Sequence, residues 1–163
     1  MKQFNFYLKI ALCTALICFL NSCESGTLIN DTQKVPEKGW NAEIPLRFKI
    51  DITDTLQNYN CFIAIRHTEK YAWMNIFFFI KTRFPDQKIA IDTVECVLAD
   101  INGKWSGKGF GKYLDNQFLF KQNIRFPEEG SYIIEIYQGM RTLSLKDVES
   151  IGLKIIPTTV PQK

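Results

Sequence analysis

Histidine is almost missing from this chain: His67 is the only one among 163 residues. That argues against a histidine-rich metal centre and leaves any Ser-His or Cys-His pairing to one imidazole at the end of an apolar stretch. Cysteine is sparse as well, with five, too few for a domain built on a disulfide scaffold. Nine glycines exclude a collagen-like fibre or a flexible linker protein. Net charge is also small, +3 from 20 Lys+Arg against 17 Asp+Glu, which is no footprint for nucleic acid. Internal repeats and low-complexity tracts are absent. No apolar run reaches the roughly 20 residues of a membrane-spanning helix.

The nearest approach to such a run, Ile10 to Leu20 (IALCTALICFL), has the length of a signal-peptide core and follows the basic residues Lys2 and Lys9. It ends in Leu20-Asn21-Ser22-Cys23, which resembles a bacterial lipobox. The expectation is a leader over residues 1–22, removed so that the Cys23 thiol carries the lipid. The plainer alternative is a secreted chain cut nearby with Cys23 left free. Several acyl chains on one cysteine hold a protein to a bilayer durably, whereas one chain holds it only marginally. The domain is therefore expected in the cell envelope, anchored to a membrane through acyl chains on Cys23. No acidic run follows Cys23, which favours the periplasmic face of the outer membrane. Residues 23–39 are polar, contain Pro36 and Gly39, and read as a flexible tether. The domain is expected over 40–157, with a tail over 158–163.

What the chain has in quantity is aromatic surface: 13% of residues, with 13 phenylalanines. Leu46, Phe48, Ile50 and Ile52 alternate with Arg47, Lys49 and Asp51, a half-buried strand. Tyr59 to His67 and Trp73 to Lys81 are apolar on both faces, as central strands are. Ile89 to Asp100, Gln117 to Phe120, Ile124 to Phe126, Ser131 to Gln138 and Ile151 to Ile156 complete about eight short strands. Turns are marked at Pro85-Asp86, Asn102-Gly103 and Pro127-Gly130, while Leu143 to Ser150 reads as a loop or one helical turn. The pattern is all-β: an antiparallel, jelly-roll-like sandwich.

Enzyme constellations fail one at a time. Ser106 and Ser131 lack the surroundings of an activated nucleophile. The glycines at 103, 107, 109 and 111 do not make a phosphate loop, because Ser106 stands where its first glycine belongs. Asp100-Ile101-Asn102-Gly103 opens like a calcium loop, but Lys104 takes the next ligand position. No catalytic residue, metal or cofactor is expected. Cys61 and Cys96 fall on core strands and are either a buried disulfide or two small apolar side chains.

Three groups of local patterns occur in order: Arg66-His67 with Tyr71, Trp73 and Asn75; Asp92-Thr93 leading to Asn102-Gly103-Lys104-Trp105; and Gly130-Ser131-Tyr132 leading to Gln138-Gly139-Met140-Arg141. With the Cys23 motif and Trp40, this order resembles the gliding motility lipoprotein GldH family of Bacteroidota, over about Trp40 to Ile156. The resemblance implies a small, non-catalytic envelope lipoprotein of the gliding machinery, linked to type IX secretion, with other envelope proteins of those systems as partners. Arg66 and Arg141, cations beside apolar strands, need a carboxylate partner or a surface role: the first reading is an internal pair with Asp92 or Asp100, and the second makes Arg66, Tyr71 and Trp105 the candidate partner contacts. A competing reading is an envelope lipoprotein that binds glycans or peptides through aromatic side chains such as Tyr71, Trp73, Trp105 and Tyr113.

Overall fold

The computed structural model describes residues 26–158. Within them the chain forms eleven strands and no helix: β1 (Ile29–Lys34), β2 (Trp40–Asn41), β3 (Leu46–Ile52), β4 (Tyr59–Thr68), β5 (Asn75–Arg83), β6 (Ile89–Val97), β7 (Lys108–Phe110), β8 (Tyr113–Ile124), β9 (Gly130–Gln138), β10 (Ser144–Leu145) and β11 (Val148–Pro157). One sheet runs in the order β1-β11-β4-β8-β7, the other β3-β9-β5-β6, and β2 pairs with β10 in a short ribbon. Every pairing is antiparallel.

Strict alternation explains the packing. In β4, Cys61, Ile63 and Ile65 point inward; in β5, Ile76, Phe78 and Ile80 do so from the opposite sheet. Between them lie Tyr132, Ile136, Leu153 and Trp40, all buried. A side chain on one sheet therefore meets an apolar partner across the gap, which is how two inner faces make one core. Among the described residues, all strands and the buried core lie between residues 29 and 157.

The sandwich has two ends. At the base β1 begins, β8 and β11 end, and β5 turns into β6 through Pro85. At the tip lie the loops after β4, β6 and β9. Gly109 shows how tight the β7–β8 turn is: a Cβ there would stand 1.8 Å from the Tyr113 carbonyl oxygen.

Several details depart from the sequence expectations. Residues 29–34 are not a tether but an edge strand, joined to β11 over six residue pairs. Their inner face carries Ile29, Asp31 and Gln33, so hydrophobic alternation gave no signal; backbone pairing with β11 makes the strand, with Ile29 against the core and the Gln33 side chain donating to the Arg47 carbonyl. The two short strands expected between 117 and 126 are one, β8, twelve residues long. The stretch from 143 to 150 is neither a loop nor a helical turn; it forms β10 and the start of β11. Of the two readings open for Cys61 and Cys96, the structure has the second: both are buried free thiols. Lys121 pairs in register with Cys61 and meets Asp92 across the sheets, so Asp92 sits near the level of Cys61. Cys96 is four residues further along β6, roughly 13 Å at the rise of a strand, beyond the reach of a disulfide.

Candidate functional site at the tip

His67 is buried on the inner side of β4, and its ring organises the tip. The Trp105 ring meets it edge-on at 4.8 Å, Tyr71 lies 5.6 Å away, and Trp73 closes the row 5.5 Å beyond Tyr71. Nδ1 of His67 donates to the Thr68 carbonyl at 3.0 Å, and Nε2 accepts from the Asn116 amide at 3.2 Å. Both nitrogens are thus used by a neutral ring, and burial pulls its pKa below the ordinary 6.5. The Tyr71 hydroxyl donates to the Asn75 carbonyl at 3.1 Å, and burial pushes its pKa up. This cluster is a packed support, with no group poised for proton transfer to a ligand.

The surface it supports is different. A cleft of about 410 Å³ is lined by Trp73, Phe77, Gly139, Met140 and Arg141. Gly139 packs closely here: a Cβ would stand 3.2 Å from the Phe77 Cβ and carbonyl, a tight contact. Phe77 N–H donates to Met140 Sδ at 3.4 Å, which seats the thioether against β5. Trp73 keeps 40% of its surface exposed, and Met74, Val97, Leu143, Ile44 and Ile101, all at the same end, are exposed as well. Six of the twelve exposed large apolar side chains among the described residues lie at this end, the others, such as Leu56, Ile89 and Ile91, lying elsewhere; a cluster of this kind beside a cleft is a candidate interaction surface.

The structure separates the three expected contact residues. Tyr71 and Trp105 come together, ring centroids 6.5 Å apart, but Tyr71 is only 4% exposed and cannot be a surface anchor itself. Its place is taken by its neighbour Trp73. Arg66 lies on the other face of β4, in a broad hollow on the outer side of the larger sheet. It is paired, though with neither Asp92 nor Asp100: its guanidinium grips Asp115 of β8 through two hydrogen bonds of 2.7 and 2.8 Å. That bond holds the Asp115 carboxyl below its usual range. Asp92 bonds Lys121, and the Asp100 carboxylate accepts the backbone N–H groups of Asn102 and Lys104. Arg141 was legible as a cation in need of a carboxylate or a surface role, whereas Met140 was not foreseen as a contact residue; the glycine before it, between two apolar strands, was the available signal.

A family model described as "GldH lipoprotein" matches residues 27–155. Two named relatives align over most of their lengths. The "Gliding motility lipoprotein GldH homolog" of Christiangramia forsetii is 31% identical over 85% of this chain and 89% of its own. The "Gliding motility lipoprotein GldH" of Flavobacterium johnsoniae is 24% identical over 90% of this chain and 93% of its own. Among solved structures, the Yersinia pseudotuberculosis-derived mitogen aligns loosely, with a TM-score of 0.35 and 8% identity over 83% of this chain and 89% of that one.

Proposed function

The chain belongs to the GldH lipoprotein family, and from that premise we propose that it is a non-catalytic interaction module of the gliding machinery, linked to type IX secretion. In this reading acyl chains on Cys23 hold it to the periplasmic face of the outer membrane, and its tip engages another envelope protein.

One observation carries the reading: the exposed apolar side chains around Trp73 and Met140 lie at the end of the sandwich opposite the start of β1. Leu28 already donates its backbone N–H to Ile155. Four residues, Glu24 to Thr27, separate it from Cys23, a span of at most about 18 Å over the five steps. An anchor at Cys23 therefore keeps the base near the bilayer and presents the tip about 30 Å away, the length of a ten-residue strand such as β4. A protein partner suits the site better than a sugar, because Trp105 and Tyr71 are taken up by packing and only Trp73 offers much open ring surface.

The test is complementation of a deletion strain with the native gene, Cys23→Ala, Trp73→Ala and Arg141→Glu, scoring colony spreading and export of a type IX cargo protein. The native gene should restore both, Cys23→Ala neither, and the tip variants should reach normal levels yet restore poorly. A photo-crosslinker at position 73 should then trap an envelope protein. Full restoration by Trp73→Ala and Arg141→Glu together would remove the tip from the mechanism, and a deletion strain that spreads and exports normally would remove the function.

A further inference from the structure

A cavity of about 350 Å³ opens between the two sheets in the half nearest the base, on the side where β8 faces β6. Its walls are apolar, built from Cys61, Ile80, Phe120, Phe126, Ile134 and Ile155. Sandwich interiors are normally close-packed, with few voids larger than a water molecule. A space of this size reaches the lower range of small-molecule sites and is about twice that of an apolar cavity that holds benzene.

The rim has another character. Lys121 and Arg125 both line the cavity. Lys121 Nζ reaches across the gap to Asp92 Oδ2 at 2.6 Å, so that one carboxylate and one ammonium cancel. The buried Asp92 oxygen has no hydrogen-bond partner of good geometry. Lys121 therefore stays with Asp92 as its counter-charge, and its remaining N–H donors can face an incoming anion. Arg125 is exposed, donates Nε to the Asn58 side chain, and has no carboxylate within ion-pair distance among the described residues. The mouth thus carries one uncompensated cation above an apolar interior.

We propose that this cavity binds a single acyl chain bearing an anionic head, with the chain against Phe120 and Phe126 and the head at Arg125 and Lys121. Guanidinium and ammonium donors at the mouth match a carboxylate or a phosphate equally, so the head belongs either to a fatty acid or to a phospholipid. The chemistry is independent of the tip and of the gliding role.

Residues 24–163, which contain every strand of the described residues, would be titrated with the fluorescent fatty acid cis-parinaric acid. The expected result is saturable binding of one molecule per chain. Displacement by palmitate alone assigns a carboxylate head, displacement by lysophosphatidylglycerol alone a phosphate head, and displacement by both either one. Dodecyltrimethylammonium should compete at least about tenfold less well, and Arg125→Glu should weaken fatty-acid binding by about tenfold. Thr82→Phe, which fills the cavity from its half-buried wall, should abolish binding. If that variant loses native circular dichroism, Arg125→Glu, at an exposed position, decides alone. Absence of saturable binding, equal competition by the cationic amphiphile, or unchanged affinity in Arg125→Glu would each overturn the assignment.

Discussion

The buried carboxamide of Gln138 accepts the backbone N–H of Met140 at 2.8 Å and, through its own amino group, donates to the Thr142 carbonyl at 2.7 Å. One side chain thereby fixes both arms of the loop that frames the tip cleft. A cleft fixed in advance loses less ordering entropy when a partner arrives.

Replacing Gln138 by Leu keeps the volume nearly unchanged and strips both bonds. Two backbone groups in a partly buried loop lose their partners, at a cost of about 1–3 kcal/mol. Hydrogen exchange should quicken at the Met140 and Phe77 amides, while the amides of β4 and β11 stay protected to nearly the former level. Uniformly faster exchange would show that Gln138 supports the whole fold instead of the loop.

Glu135 supplies a second asymmetry. It is only 5% exposed on the outer face of β9, held 2.7 Å from Arg47 Nε and 3.6 Å from Lys81 Nζ. The hydrogen bond from Arg47 comes first in holding its carboxyl below the usual range. Arg47 itself is mostly exposed, so losing its partner strands nothing in a dry place. Losing Arg47 leaves a buried carboxylate with one weaker cation. Arg47→Ala should therefore destabilise more than Glu135→Gln, by about 1–2 kcal/mol in urea unfolding at neutral pH. Equal costs would mean that water reaches the carboxylate freely.

How much of this was legible in advance depended on where the information is stored. β3, β6 and β9 advertise themselves through side-chain alternation, and β4 and β5 through unbroken apolar runs, because each buries a face against the same core. β1 buries little and is held by main-chain bonds to β11, which leave no trace in side-chain identity. The aromatic residues of the tip were visible individually, yet their ranking was not. Tyr71 and Trp73 differ by two positions and similar chemistry, and only the packing of His67 and Trp105 decides which one faces solvent. Arg66 was legible as a cation in need of a carboxylate. Its partner Asp115 lies 49 positions away, set by the register of β4 with β8, which alternation cannot fix across a long connection.

The lone histidine makes an acid response easy to assign. Burial lowers the His67 pKa below 6.5 in the fold, so the unfolded chain takes up a proton at higher pH than the folded one. Stability should be complete above about pH 6.5 and fall as pH drops from there towards the folded value, by at most about 1.4 kcal/mol per pH unit. Glu135, whose pKa is lowered from 4.5, adds its own loss only as pH falls below that value. His67→Gln should be less stable at pH 7.5 but flat between pH 6.5 and 5. The imidazole proton resonance of the native protein should show no titration near 6.5. A normal midpoint, or the same slope in the variant, would contradict the buried neutral ring.

The two core thiols offer the simplest check on the packing. Burial pushes Cys61 up to about 12 and Cys96 likewise to about 12, so neither forms much thiolate at neutral pH, and thiolate is the reactive form. Residues 24–163 contain only these two cysteines. Native protein should react with a disulfide reagent only as fast as it opens, whereas denatured protein should release two thiols at once. A reducing agent should leave the melting temperature unchanged, since no bridge links strands whose facing positions are this far apart. The two sites should still differ in their response to a ligand. Cys61 lines the cavity near the base and should be further protected by a bound acyl chain, while Cys96, towards the tip, should not. Release of no thiols after unfolding, with a melting temperature that falls on reduction, would show a disulfide and force a different packing of β4 against β6.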